Sequence, residues 1–354
     1  MPESLTIIAG QSARKKLLET GFRQQDYSTI VAASGGPKWF ILFGLDKYLF
    51  SEFFASRKTP INTLGSSAGA WQLSCFAQPN PSRAVSTLAT LYSSETYSEK
   101  PSANEISNKA ERLLKNLFGE HGITHLVSHS IVNTHILANR SKGLCASERK
   151  GTQFLGLGLA AAGNLFSRKL LRHSFTRVIF HASQESYFRF TDQPTQYVQL
   201  TAENGAKALM ASGSIPLVLR GVQNIPDAPE GVYRDGGIID YQFDLPFSKE
   251  GLVLYPHFSQ RVVPGWFDKK LSYRKANPAF YDNVVLLTPS RELVTSLPYG
   301  KISDRNDFLR LEATTRKKYW KTVLDESSRM ADDFHELVEK GLTPDQIKCF
   351  PATE

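Results

Sequence analysis

Apolar and polar positions along the first eighty residues repeat a strand-then-helix rhythm. The runs Thr6–Ala9, Thr29–Ala33 and Pro60–Leu64 are short and apolar, and they read as buried strands. Helix-compatible stretches follow each of them: Ser12–Thr20, Lys38–Phe50 and Ala68–Phe76. Such βα alternation predicts an α/β fold with a mostly parallel sheet and helices on both faces. Residues 78–150 are polar and helical in texture with no clear strand, and are expected to form a helical insertion over one end of the sheet. Strands are expected again at Phe175–Ala182, Tyr197–Thr201, Leu252–Pro256 and Asn283–Thr288, with a short helix at Ala206–Ser212. From Asp304 to Lys340 the apolar residues recur at helical spacing and Gly341 is a natural stop. Unbroken, that helix would be ~55 Å long at the standard rise per residue, so a break is expected near Asp325–Ser328. The expected organisation is one α/β domain over residues 1–300 and a helical extension, 301–354, packed on it.

Composition narrows the class of protein. The chain of 354 residues is long enough for a substantial core, and its 41% hydrophobic content is ordinary for a globular protein. No run of about 18 apolar residues exists, and Met1–Gly10 lacks a basic leader, so neither a spanning helix nor a secretory signal is expected. Three scattered cysteines argue against a disulfide framework and fit a cytoplasmic, reducing compartment. A net charge of +8 suits an anionic partner. No zinc-finger or RNP-type motif points to nucleic acid, so a membrane surface is the preferred partner, as a peripheral contact. Phe154–His173 is apolar and glycine-rich, then basic, and Arg168, Lys169 and Arg172 are candidate contacts to lipid phosphates.

Three segments carry candidate chemistry. Gly65-Ser66-Ser67-Ala68-Gly69 is a G-x-S-x-G pentapeptide between an expected strand and an expected helix. Small residues there permit a sharp turn that lifts the Ser67 hydroxyl clear of the sheet, and the following helix N-terminus favours nearby negative charge. Ser34-Gly35-Gly36-Pro37-Lys38 follows a strand; its Gly35 and Gly36 amides are unobstructed and Lys38 adds positive charge, as an oxyanion site requires. Asp235-Gly236-Gly237 is a turn that can present a carboxylate to the Ser67 proton.

In this order the segments resemble the patatin-like phospholipase family, which carries a Gly-Gly-x-Arg/Lys loop, a G-x-S-x-G elbow and an Asp-Gly-Gly/Ala turn. Ala208-Leu209-Met210-Ala211-Ser212-Gly213-Ser214-Ile215-Pro216 resembles a further family segment, A-x-x-A-S-x-A/S-x-P. The resemblance spans roughly residues 28–246. It implies a three-layer α/β/α sandwich and hydrolysis of a phospholipid or other lipid ester by a Ser67–Asp235 dyad, with no cofactor. Two departures stand out: the loop has only two consecutive glycines, Pro37 removes one N–H donor and Trp39 follows Lys38 where the family has a small residue, and Ile238-Ile239-Asp240-Tyr241 replaces an Asn-rich stretch.

Other readings stay open at this point. The order Ser67, Asp235, His257 also fits an α/β-hydrolase triad. A non-catalytic lipid-binding scaffold on a degenerate hydrolase fold and a transacylase are further readings. His121, His125 and His129 share a helical spacing, with His135 close behind, but no carboxylate ligand accompanies them, and no metal site is expected.

Overall fold

The computed structural model describes residues 3–351. Eleven strands occur among them: β1 (Leu5–Ala9), β2 (Tyr27–Ala32), β3 (Ile61–Ser66), β4 (Val132–Ser141), β5 (Phe175–His181), β6 (Thr195–Gln199), β7 (Val222–Gln223), β8 (Val232–Asp235), β9 (Leu252–Pro256), β10 (Val284–Pro289) and β11 (Ile347–Cys349). They form one sheet ordered β11-β1-β10-β9-β2-β3-β4-β5-β6, with β8 beside the far end of β4 and β7 beside β8. The stretch β10-β9-β2-β3-β4 is parallel throughout, as the βα rhythm predicts. Antiparallel pairs join β10 to β1 and β4 to β5 and β8. Every residue of β3, β9 and β10 is buried. A strand buried on alternate sides needs cover on both faces of the sheet, and helices supply it.

The helices are α1 (Gln11–Thr20), α2 (Phe43–Tyr48), α3 (Ala68–Phe76), α4 (Pro81–Ser94), α5 (Ala103–Phe118), α6 (Gly122–Ser128), α7 (Lys150–Phe166), α8 (Gly205–Ser212), α9 (Arg291–Ser296), α10 (Asp307–Arg310), α11 (Ala313–Glu326) and α12 (Ser328–Lys340). The expected helix over 38–50 is a composite, with a 3-10 stretch before α2 and a π turn after it. The helix expected over Asp304–Lys340 breaks at Ser327, within the expected interval, and also at Leu311–Glu312, between α10 and α11, where no break was expected. α11 and α12 enter the main core. Trp320 packs edge-on against Phe40 and Phe308, and Phe334 lies among Phe22, Tyr48 and Phe53.

The expected insertion over 78–150 is too long. Its helices end at Ser128, and Val132–Ser141 is a central strand paired with β3, β5 and β8. The strand is hard to see in the sequence because its buried positions include Thr134, His135 and Asn139. Two of these side chains are held locally: the His135 ring bonds the Thr63 carbonyl, and Asn139 Nδ2 donates to the Asp235 and Gly236 carbonyls, whereas Thr134 Oγ1 and Asn139 Oδ1 have no partner. Burial of a polar group is tolerated when its partners are in place.

Asp46 couples two layers. Its Oδ2 accepts from Trp39 Nε1 and Gln72 Nε2, each at 2.7 Å, tying α2 to α3, while Oδ1 has no partner. Burial raises its pKa to about 7, against the two hydrogen bonds that lower it. The folded pKa therefore exceeds the unfolded value of about 3.9. The resulting stability is full below that lower pH and is lost as pH rises through the folded pKa. Asp46→Asn is expected to stabilise the chain at about pH 8.5 and to have little effect at about pH 4.5, read from urea midpoints.

No helix among the described residues is long and apolar enough to cross a membrane.

Candidate active site

Ser67 lies at the β3-to-α3 turn with φ 55° and ψ −126°, in the left-handed region that a serine occupies only under constraint. The turn is tight because its flanks are small: a Cβ on Gly69 would lie 2.1 Å from the Ala32 carbonyl oxygen, and one on Gly65 would lie 2.5 Å from Ala70 Cα. Ser212, at the end of α8, holds the turn from behind. Its hydroxyl accepts the Ser67 amide at 2.8 Å and donates to the Leu137 carbonyl at 2.7 Å. Ser214 contributes next, its carbonyl accepting the Asp235 amide at 3.0 Å. The 208–216 segment thus supports both reactive residues, a role its sequence alone does not disclose.

Asp235 ends β8, and its side chain meets Ser67. Ser67 Oγ donates to Asp235 Oδ2 at 2.8 Å, and the Gly237 amide donates to Oδ1 at 2.7 Å. Gly236 and Gly237 are packed against Leu137, Ser66 and Ser34, where a Cβ would clash. Both Ser67 and Asp235 are 7% exposed. Burial raises the Asp235 pKa, while the bonds from Ser67 and Gly237 oppose the rise. A carboxylate with a raised pKa is a better proton acceptor near neutrality.

The Gly35-Gly36 loop borders the same cavity as Ser67 and Asp235. Gly36 has φ +56°, and a Cβ on Gly35 would strike the Phe258 ring at 2.5 Å. Among the described residues, neither glycine amide donates to a protein acceptor. The Pro37 carbonyl accepts from the Ser303 hydroxyl at 2.6 Å, which ties the loop to the C-terminal region. Trp39 turns inward to Asp46 and also lines the neighbouring apolar cavity.

Ser67 sits where two cavities meet. One, of about 290 Å³, is walled mainly by apolar side chains of α4, α5, α8 and α10, including Leu88, Leu113, Met210 and Phe308. The other is polar and brings together Lys38, Lys269 and Arg305. None of these three cations forms an ion pair among the described residues. Lys269 is open to solvent as a residue, but its ammonium sits 3.8 Å from the Tyr241 ring centroid. Desolvation there, then Arg305 and Lys38, lowers its pKa. Desolvation likewise lowers that of Lys38. Asp304 borders the cavity as well, within 4.0 Å of Lys301. Lys269 and Arg305 were not anticipated, because no local motif marks them and only the fold brings positions 269 and 305 to position 67.

Other expected groups are separated from this centre. His257 is fully buried beside Phe258; its Nδ1 contacts the Ser259 carbonyl and its Nε2 has no partner. Burial lowers its pKa to about 4. It bonds neither Ser67 nor Asp235, both of whose carboxylate oxygens are already engaged, so the triad geometry does not form. Arg168 is turned inward, paired with Asp268 and donating to the Ile239 carbonyl at 3.0 Å, and does not offer its charge to a surface as expected. Lys169 and Arg172 are exposed. His121, His125 and His129 lie along α6, where His129 Nδ1 accepts the Ile131 and Val132 amides, and His135 is buried away on β4. Among the described residues no cluster of three metal-ligating side chains occurs.

No family model matches the chain, and no curated protein matches it. Among solved structures it is similar to VipD from Legionella pneumophila, with a TM-score of 0.32 and 12% identity. That match covers 65% of this chain and 50% of the other, so the chain spans half the length of the protein it matches. A likeness this slight identifies neither family nor activity, and the functional reading rests on the site.

Proposed function

We propose that the chain is a serine carboxylic-ester hydrolase of the patatin-like type, acting on lipid esters as a phospholipase A or lysophospholipase. The observation that carries this reading is the direct Ser67 Oγ to Asp235 Oδ2 bond at 2.8 Å, at the junction of an apolar and a cationic cavity. In the proposed reaction Asp235 accepts the Ser67 proton as Oγ attacks the ester carbonyl. The Gly35 and Gly36 amides, with Lys38 nearby, take up the charge of the tetrahedral oxyanion. Collapse of that intermediate expels the alcohol, which leaves with the proton from Asp235. Water then attacks the acyl-Ser67 ester, again giving its proton to Asp235; the second intermediate collapses with cleavage of the Oγ–acyl bond, Asp235 returns the proton to Ser67 Oγ, and the carboxylic acid departs. The apolar cavity suits an acyl chain. The unpaired Lys38, Lys269 and Arg305 suit a phosphate beside the scissile ester.

A lipid panel tests the reading. Purified chain is expected to release fatty acid from phospholipid or lysophospholipid, and to be labelled by a fluorophosphonate, with both signals absent in Ser67→Ala. Folded wild-type chain that is neither labelled nor active on any ester would overturn it and favour a lipid-binding scaffold.

A further inference from the structure

Helix α7 turns large apolar side chains outward. Its outward face carries Phe154, Leu155, Leu159, Leu165 and Phe166, which are 70%, 57%, 60%, 52% and 85% exposed. Its inward face buries Gln153 and Asn164 at 3% and 0%, beside Gly156, Leu157 and Ala160. An ordinary surface helix presents polar residues to solvent. The inward polar groups are anchored: Gln153 accepts the Leu217 amide and donates to the Ser147 carbonyl, and Asn164 Nδ2 donates to Asp268 at 2.7 Å while its Oδ1 has no partner. Leu144 and Leu170, on the segments packed against α7, extend the exposed apolar surface. So many large apolar side chains on one face exceed the scattered exposure of an ordinary surface.

The unpaired charge around this face is positive; the adjacent Glu148 is exposed but paired with Arg234. From Arg149 to Gln184 the sequence contains no aspartate or glutamate. Arg149, Lys150, Lys169 and Arg172 are exposed there, at both ends of α7, and none of them forms an ion pair among the described residues.

We infer that α7 and the following Arg168–His173 turn form a docking surface for a bilayer containing anionic lipid. Phe154, Leu159 and Phe166 enter the acyl boundary, and the flanking cations meet the phosphates. A second copy of the chain is a poorer occupant: with basic residues at both ends, parallel or antiparallel pairing of two α7 helices sets like charges together. The surface is also joined to the Ser67 cavity. Gln153 holds Leu217, next to the cavity-lining Pro216 and Val218. Asn164 and Arg168 hold Asp268, between Trp266 and Lys269 of the polar cavity. Docking through α7 would therefore seat two walls of that cavity at the lipid surface; this orienting role, unlike the docking itself, rests on the lipid-ester reading.

The experiment uses the full chain carrying Ser67→Ala, so that binding is read without turnover. Co-sedimentation with phosphatidylcholine vesicles containing phosphatidylglycerol is expected to exceed that with phosphatidylcholine alone and to fall with added salt. Phe154→Ser/Leu159→Ser/Phe166→Ser is expected to cut the bound fraction about tenfold or more. Its thermal midpoint should not drop, because these side chains face outward. Lys150→Gln/Lys169→Gln/Arg172→Gln should remove the preference for anionic vesicles. On the Ser67-containing chain, the serine variant should retain hydrolysis of a soluble short-chain ester and lose hydrolysis in vesicles. Unchanged vesicle binding by the serine variant overturns the inference, as does a concentration-dependent dimer in sedimentation velocity that the same variant abolishes. If the chain cleaves no ester, the proposed activity fails and the co-sedimentation result still decides the docking surface.

Discussion

Asp235→Asn is expected to lower kcat for ester hydrolysis by about 10³–10⁴-fold, the scale of losing a general base from a nucleophile it activates. The substitution keeps the shape of the side chain: its Oδ1 can still accept the Gly237 amide while its Nδ2 donates to Ser67 Oγ, so melting temperature and fluorescence should barely move. His257→Asn, which retains a donor toward Ser259, is expected to leave kcat within about threefold, since His257 contacts neither reactive group. Comparable losses in the two variants would sink the dyad in favour of a histidine-mediated mechanism. The pH profile adds an independent reading. Asp235 must be ionised to accept the proton, and burial raises its pKa. The acid limb of kcat/KM is therefore expected above the ordinary aspartate value of about 3.9, with the rate rising as pH passes through the shifted pKa.

Arg177→Met is expected to destabilise the chain by about 3–5 kcal/mol, the usual consequence of stranding a buried charge. Arg177 is 0% exposed on β5 and grips Asp240 through Nε and Nη2 at 2.7 and 2.8 Å. It also reaches Asp192 at 2.7 and 3.0 Å. Asp240 is 2% exposed, so loss of the guanidinium leaves a carboxylate that solvent cannot reach, whereas Asp192 is partly open to water. The consequence extends to the site: the Asp240 amide bonds the Gly236 carbonyl at 3.1 Å, so the same residue anchors the turn that presents Asp235. Urea unfolding of Arg177→Met beside Arg177→Met/Asp240→Leu separates the causes. Recovery of most of the lost stability in the double variant identifies an unpaired charge; no recovery identifies lost packing and refutes the electrostatic account.

Legibility varied along the chain for physical reasons. β9 and β10 were recognisable because strands buried on both faces are nearly continuous apolar runs, and β2 and β3 because short apolar stretches lead straight into glycine-rich turns. β4 was not, because its buried positions carry the polar Thr134, His135 and Asn139, of which His135 and Asn139 serve neighbouring carbonyls. α7 was readable as an apolar helix or loop, but which of its faces met solvent depended on where Gln153 and Asn164 found partners. Arg168 illustrates the converse: a basic residue beside an apolar run reads as a surface charge, and only the position of Asp268, a hundred residues away, turns it inward.

At the centre, the residue types and local turns were determined by sequence alone. Small residues around Ser67, glycines at 35–36 and an Asp-Gly-Gly turn constrain the backbone within a few positions, so local sterics make them visible. Tertiary structure decided what those turns face. Parallel pairing of β2, β3 and β4, with β8 added antiparallel to the end of β4, brings residues 35, 67 and 235 to one cavity edge. It also chose Asp235 over His257 as the group that touches Ser67, and it delivered Lys269 and Arg305 to the same opening. Contacts between residues so distant in sequence leave no local spacing, because long-range packing sets them and no neighbouring side chain needs to encode them.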